Sequence, residues 1–184
     1  VLPAACAPLR DVFAPAAPGV SAQWAALVEE IRAFERRIGF QATGNFLEFS
    51  EDQHSYTFCG YAPRLTLPYS YQDPAIQWRT AETALECSEH SAGANARADS
   101  YFGSVEALGE IGTPVTLSMV DSKLDRFLYV VIHEDCHDQF DLPYGIEEAL
   151  CNVLAYQAMA VFTDEKFGSF AREDRAVRRY AALE

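Results

Sequence analysis

The stretch that most constrains this chain is Val131-Ile132-His133-Glu134-Asp135-Cys136-His137, followed downstream by the acidic pair Glu147-Glu148. His133 and His137 stand four residues apart. On a helix that spacing leaves them about 40° apart around the axis and one turn above each other, so both imidazoles reach one metal ion. Glu134 projects about 100° round from His133. It lies beside the ion rather than on it, where it can hold and deprotonate a water. That is the physical reason His-Glu-x-x-His makes a hydrolytic zinc site.

The stretch reads as helical. Leu124, Phe127, Leu128 and Val131 recur at the spacing of one buried helical face, and Ile132 and Cys136 widen it. Asp121 or Ser122 can cap the start. Pro143 disfavours helix at Leu142, so the pattern predicts a helix over about residues 122–139. Two histidines leave a catalytic zinc site one protein ligand short. After a turn at Pro143-Tyr144-Gly145, residues 146–162 form a second, strongly apolar helical pattern. A carboxylate in its first turn suits the positive helix end and is well placed to return to the metal. Glu147 and Glu148 both qualify.

This arrangement, ending in a helix that opens Glu147-Glu148-Ala149-Leu150, resembles the gluzincin group of zinc metallopeptidases. Ala62-Pro63-Arg64-Leu65-Thr66-Leu67-Pro68 also resembles a segment of the bacterial predicted-aminopeptidase family. The clearest part of the likeness runs over residues 124–155. It implies an α+β, zincin-like single domain, with a small, mostly antiparallel sheet packed on helices. It implies zinc on His133, His137 and Glu148, with Glu134 as general base and a peptide or protein as substrate. It also makes Asn152 a hydrogen-bond partner of a histidine ligand and offers residues 113–120 an edge-strand role in substrate binding, beside the plain reading of that segment as a core strand. This chain departs from the group at Asp135-Cys136, where an apolar or small pair is usual, and at Ala149, where Gly is usual. Glu147 remains a rival third ligand. The competing reading is a catalytically inactive zincin-like binding or scaffold protein of the cell envelope.

A length of 184 residues suits one domain with a real core, and 49% hydrophobic with 22% charged residues marks a globular chain. A net charge of −13 argues against nucleic acid and anionic lipid surfaces, which need basic patches. No apolar run is long enough to span a bilayer. Val1-Leu2-Pro3-Ala4-Ala5-Cys6 reads like the end of a bacterial lipoprotein signal, which makes Cys6 a candidate lipid anchor and export to the envelope or periplasm the expectation. The remaining cysteines, Cys59, Cys87, Cys136 and Cys151, are even in number. In an oxidising compartment Cys136–Cys151 with Cys59–Cys87 is the favoured pairing; otherwise they are four buried thiols.

Residues 1–20 read as an Ala/Pro-rich leader or tether and 21–184 as the domain. A first helix is expected over residues 22–38, with Trp24, Leu27, Val28, Ile31 and Phe34 inward. Residues 45–49 and 55–61 suggest a hairpin, 64–67 a third strand and 113–120 an edge strand. Residues 76–94 and 105–108 suggest helix, and 170–183 a last helix. His54 and His90 read as surface residues. Tyr144 and Tyr156 are the candidate donors to a tetrahedral oxyanion.

Overall fold

The computed structural model describes residues 20–66, 68, 73–80, 85–88, 98–109 and 111–183. Cys6, His90 and the leader lie outside them. The protein is α+β, with a three-stranded antiparallel sheet and helices. The elements are α1 (Val20–Ile38), β1 (Tyr56–Pro63), β2 (Gln77–Thr80), β3 (Ala98–Val105), α2 (Leu117–Asp121), α3 (Leu124–His137), α4 (Tyr144–Phe167) and α5 (Arg172–Leu183). They fall into two compact units, Ser55–Val105 and the remainder of the chain on either side of it. No helix among the described residues is long and apolar enough to cross a membrane.

The helical unit is built around α3. Leu124, Phe127, Leu128 and Val131 are all buried, as their spacing requires, and Ile132 and Cys136 are buried with them. Trp24 of α1 meets Phe127 at 4.8 Å between ring centroids, and Phe34 of α1 meets Phe162 of α4 edge-on at 5.5 Å. Each such large side chain contributes about 1.5–3 kcal/mol by leaving water. Lys123 occupies the cap position of α3 without a side-chain bond, and the Ser122 hydroxyl donates to the Met119 carbonyl of α2.

The second unit is the sheet, ordered β2-β1-β3. Here the sequence expectations need correction. Residues 45–49 do not form a hairpin with 55–61. Phe46 has φ 56°, which breaks an extended run, and the segment pairs instead with residues 113–115 through Val115 N–H to Glu48 O (2.8 Å) and Ser50 N–H to Val115 O (3.0 Å). Residues 117–121 are therefore helical, and only the start of the expected edge strand is extended. β1 finds its partners later in the chain, with Gly60 opposite both Trp78 and Tyr101. The glycine is required: a Cβ there would stand 2.4 Å from the Tyr101 ring and 3.0 Å from that of Trp78. Residues 77–80, expected as helix, are thus a strand, while 85–88 are helical. Arg64 and Leu65 form a turn after β1 rather than a third strand, with Leu65 at φ 64°. Val105 closes β3 rather than opening a helical turn.

Candidate metal centre

Helix α3 ends at His137, so both motif histidines lie in its last two turns. Helix α4 begins only seven residues later and sends Glu148 back across them. The disulfide Cys136–Cys151 joins the two helices next to these residues, and Cys59–Cys87 closes the second unit. Both cysteine pairs match the favoured pairing.

The donor atoms converge. His133 Nε2 and His137 Nε2 stand 3.2 Å apart. Glu148 places Oε2 3.3 Å from His133 Nε2 and Oε1 3.5 Å from His137 Nε2. Ligands held tetrahedrally at zinc bond lengths stand about 3.3–3.6 Å from each other, so the three side chains already have the separations of a shared ion. Among the described residues, this is the one such cluster of His, Cys, Asp and Glu side chains. The His133 and His137 side chains are 8% and 11% exposed and that of Glu148 is 30% exposed, so the cluster is walled by the helices and open on the carboxylate side.

Glu147 takes a different role. Its Oε1 lies 2.9 Å from His137 Nδ1, and its Oε2 accepts the Leu142 N–H at 2.9 Å. Reaching back over the start of its own helix, it orients the histidine from behind. The His137 hydrogen bond, and after it the Leu142 N–H, hold its carboxyl below the ordinary glutamate value. The two acids that the sequence leaves as rivals are thus separated by one helical step of about 100°.

Glu134 sits beside the cluster. Its Oε2 accepts the Gly109 N–H at 2.6 Å. Burial pushes its carboxyl up to about 7, against the lowering effect of that hydrogen bond. A carboxyl held there can exchange a proton near neutral pH. Gly109 is a neighbour of the cluster that the sequence reading does not identify. A Cβ at that position would stand 2.8 Å from the Glu134 carbonyl oxygen and 3.1 Å from His137 Cβ, so the close approach that delivers its N–H requires glycine. Nothing local to residue 109 signals this, because the contact spans 25 residues of chain.

Burial, and next the nearby His137, pushes His133 down to about 4, so it is a neutral imidazole with a lone pair available at neutral pH. Asn152 bonds to Tyr129 rather than to His133 or His137. Its Oδ1 accepts from the Tyr129 hydroxyl, and the Tyr129 ring stacks on His133 at 5.0 Å. Tyr156 packs in the same group of rings, 5.2 Å from Tyr129, and Tyr144 lies half-exposed as the first residue of α4. His54 is exposed, as expected.

Asp135, unusual inside the motif, faces away from the cluster. It accepts from Thr43 Oγ1 at 2.6 Å and Asn45 Nδ2 at 3.1 Å, and it lines a cavity of about 140 Å³ together with Glu35. Burial and the Asp135 charge push Glu35 up to about 9, a protonated acid at neutral pH. Asp135 therefore ties the motif helix to α1 and the 40s loop.

Comparison with family models, with curated proteins and with solved structures finds no match for this chain.

Proposed function

We propose that this protein is a zinc-dependent metallopeptidase of zincin type, exported to the cell envelope. The observation that carries the proposal is the convergence of His133, His137 and Glu148 at 3.2–3.5 Å with the Glu134 carboxyl alongside. A His₂Glu donor set with an open side is a catalytic rather than a structural zinc arrangement. When bound, zinc supplies Lewis acidity toward water and toward a substrate carbonyl.

The chain's own residues do the rest. Glu134 accepts the proton of the water that attacks the scissile carbonyl carbon. It passes that proton to the amide nitrogen as the C–N bond breaks. Gly109 occupies Oε2 of Glu134, leaving Oε1 for this proton traffic. Glu147 fixes the tautomer of His137 by accepting from Nδ1–H, so that Nε2 offers its lone pair. Two disulfides support an oxidising compartment, and with it export.

The test is zinc content and peptide cleavage of wild type beside Glu134→Gln. The variant should keep stoichiometric zinc and lose at least about 100-fold in cleavage of a mixed peptide library. Equal cleavage by both proteins would reject Glu134 as the base. Wild-type protein that holds zinc and cleaves nothing would instead favour the inactive binding or scaffold reading.

A further inference from the structure

The two histidines of the centre are supported differently. A ligating imidazole is ordinarily oriented by a hydrogen bond from its other ring nitrogen, usually to a carboxylate or a carbonyl. His137 has this in Glu147. His133 does not: its Nδ1 is buried and has no hydrogen-bond partner among the described residues. Something else must hold that ring, because a freely rotating imidazole gives up the entropy of its own ordering on binding an ion.

The ring stacked on it is Tyr129, one helical turn earlier on α3. The two planes are 26° apart with centroids at 5.0 Å. Tyr129 is itself held at several points. Its hydroxyl donates to Asn152 Oδ1 on α4, one turn beyond Glu148. The Arg126 guanidinium lies 5.0 Å from its ring centroid. That guanidinium is fixed in turn by two bonds to the Glu106 carboxylate, at 2.9 and 2.8 Å, and by donation to the Tyr180 hydroxyl at 3.3 Å. Tyr156 stacks on the same tyrosine. The contact surface that orients His133 is thus tied to the helix that carries the third ligand.

We infer that Tyr129, anchored by Asn152, is the positioning residue for His133 and sets the metal affinity of the centre, in the place that a hydrogen-bonded carboxylate takes for His137. This rests on the metal reading above. It also explains what Asn152 does four residues past Glu148: it acts on the histidine through the tyrosine rather than by direct contact.

The experiment measures zinc dissociation constants by chelator competition, and the visible spectrum of the Co(II)-loaded protein, for wild type, Tyr129→Leu, Tyr129→Phe, Asn152→Ala and Phe34→Leu. Removing the ring with Tyr129→Leu should weaken zinc about 10–100-fold and alter the cobalt bands. Tyr129→Phe keeps the ring and should recover most of that loss, with a residual weakening matched by Asn152→Ala. Phe34→Leu takes a buried ring of α1 that packs edge-on against Phe162, outside the stack on His133. It should lower the melting temperature while leaving zinc affinity within a few-fold of wild type. If Tyr129→Leu weakens zinc no more than Phe34→Leu does, Tyr129 is packing and the inference is overturned. If Tyr129→Leu fails to fold, unchanged affinity in both Tyr129→Phe and Asn152→Ala overturns it equally. Wild-type protein that takes up no zinc defeats the metal reading itself, a result distinct from either.

Discussion

Breaking Cys136–Cys151 should cost a predictable amount of stability and a separate amount of metal affinity. The bridge closes a segment with a sequence separation of 15. Removing it restores to the unfolded chain the closure entropy of a loop of that size, worth about 3 kcal/mol at 25 °C. Both cysteines are fully buried, so replacing them with Ala also forfeits a little packing, while the backbone of either helix need not move. For a chain of this length about 3 kcal/mol corresponds to a fall of roughly 6–12 °C in melting temperature. The bridge also joins the two helices that carry His133, His137 and Glu148, and the metal-free double variant must order them on binding. Zinc affinity should therefore fall as well, and zinc should restore part of the lost melting temperature by mass action. The assay is thermal unfolding of wild type and of Cys136→Ala/Cys151→Ala, each with chelator and with saturating zinc. A double variant that melts within about 1 °C of wild type under both conditions would refute the loop-closure reasoning. A large fall in melting temperature that is identical with and without zinc, at unchanged affinity, would show that the bridge does nothing for the centre.

Two further outcomes follow from individual side chains. Under the proposed zinc site, Glu148→Ala removes a ligand and should abolish tight zinc binding, whereas Glu147→Ala removes only the support of His137 and should weaken it about 10–100-fold; isothermal titration that finds the reverse order would exchange the two roles. Glu35 holds its proton up to about pH 9 when folded but releases it near 4.5 when unfolded, so stability falls as pH rises through that window, by at most about 1.4 kcal/mol per pH unit. Glu35→Gln should flatten the slope and leave the variant more stable than wild type at pH 8, as read by urea unfolding across pH; parallel profiles would show that Glu35 is not the group responsible.

The parts of this protein legible in its sequence are those governed by short-range periodicity. The i, i+3, i+4 recurrence from Leu124 to Val131 is set by helix geometry alone, and it places His133 and His137 on one side without reference to anything distant. The same holds for α1, whose inward residues from Trp24 to Phe34 are all buried. The sheet was not legible in this way. Its aromatic residues Tyr56, Phe58 and Tyr61 mark β1 as a strand, but pairing depends on which distant segments meet it, and Phe46 at positive φ takes the nearest candidate out of contention. Residues 77–80 carry no strand pattern of their own and are held by the ladder they join.

At the centre the same division holds. The spacing of the motif was enough to propose a metal, a base and the need for an acid from the next helix. It could not choose between Glu147 and Glu148, because neighbours on a helix differ only in direction, and direction has meaning only once the two helices are packed. Nor could it find Gly109, whose N–H meets Glu134 across a gap in the chain, or the stack of Tyr129 on His133 that stands where a hydrogen bond is usual. Local sequence determines which faces a helix presents; which groups then come within bonding distance is decided by the burial of the whole core, where a shift of one ångström decides whether a site exists.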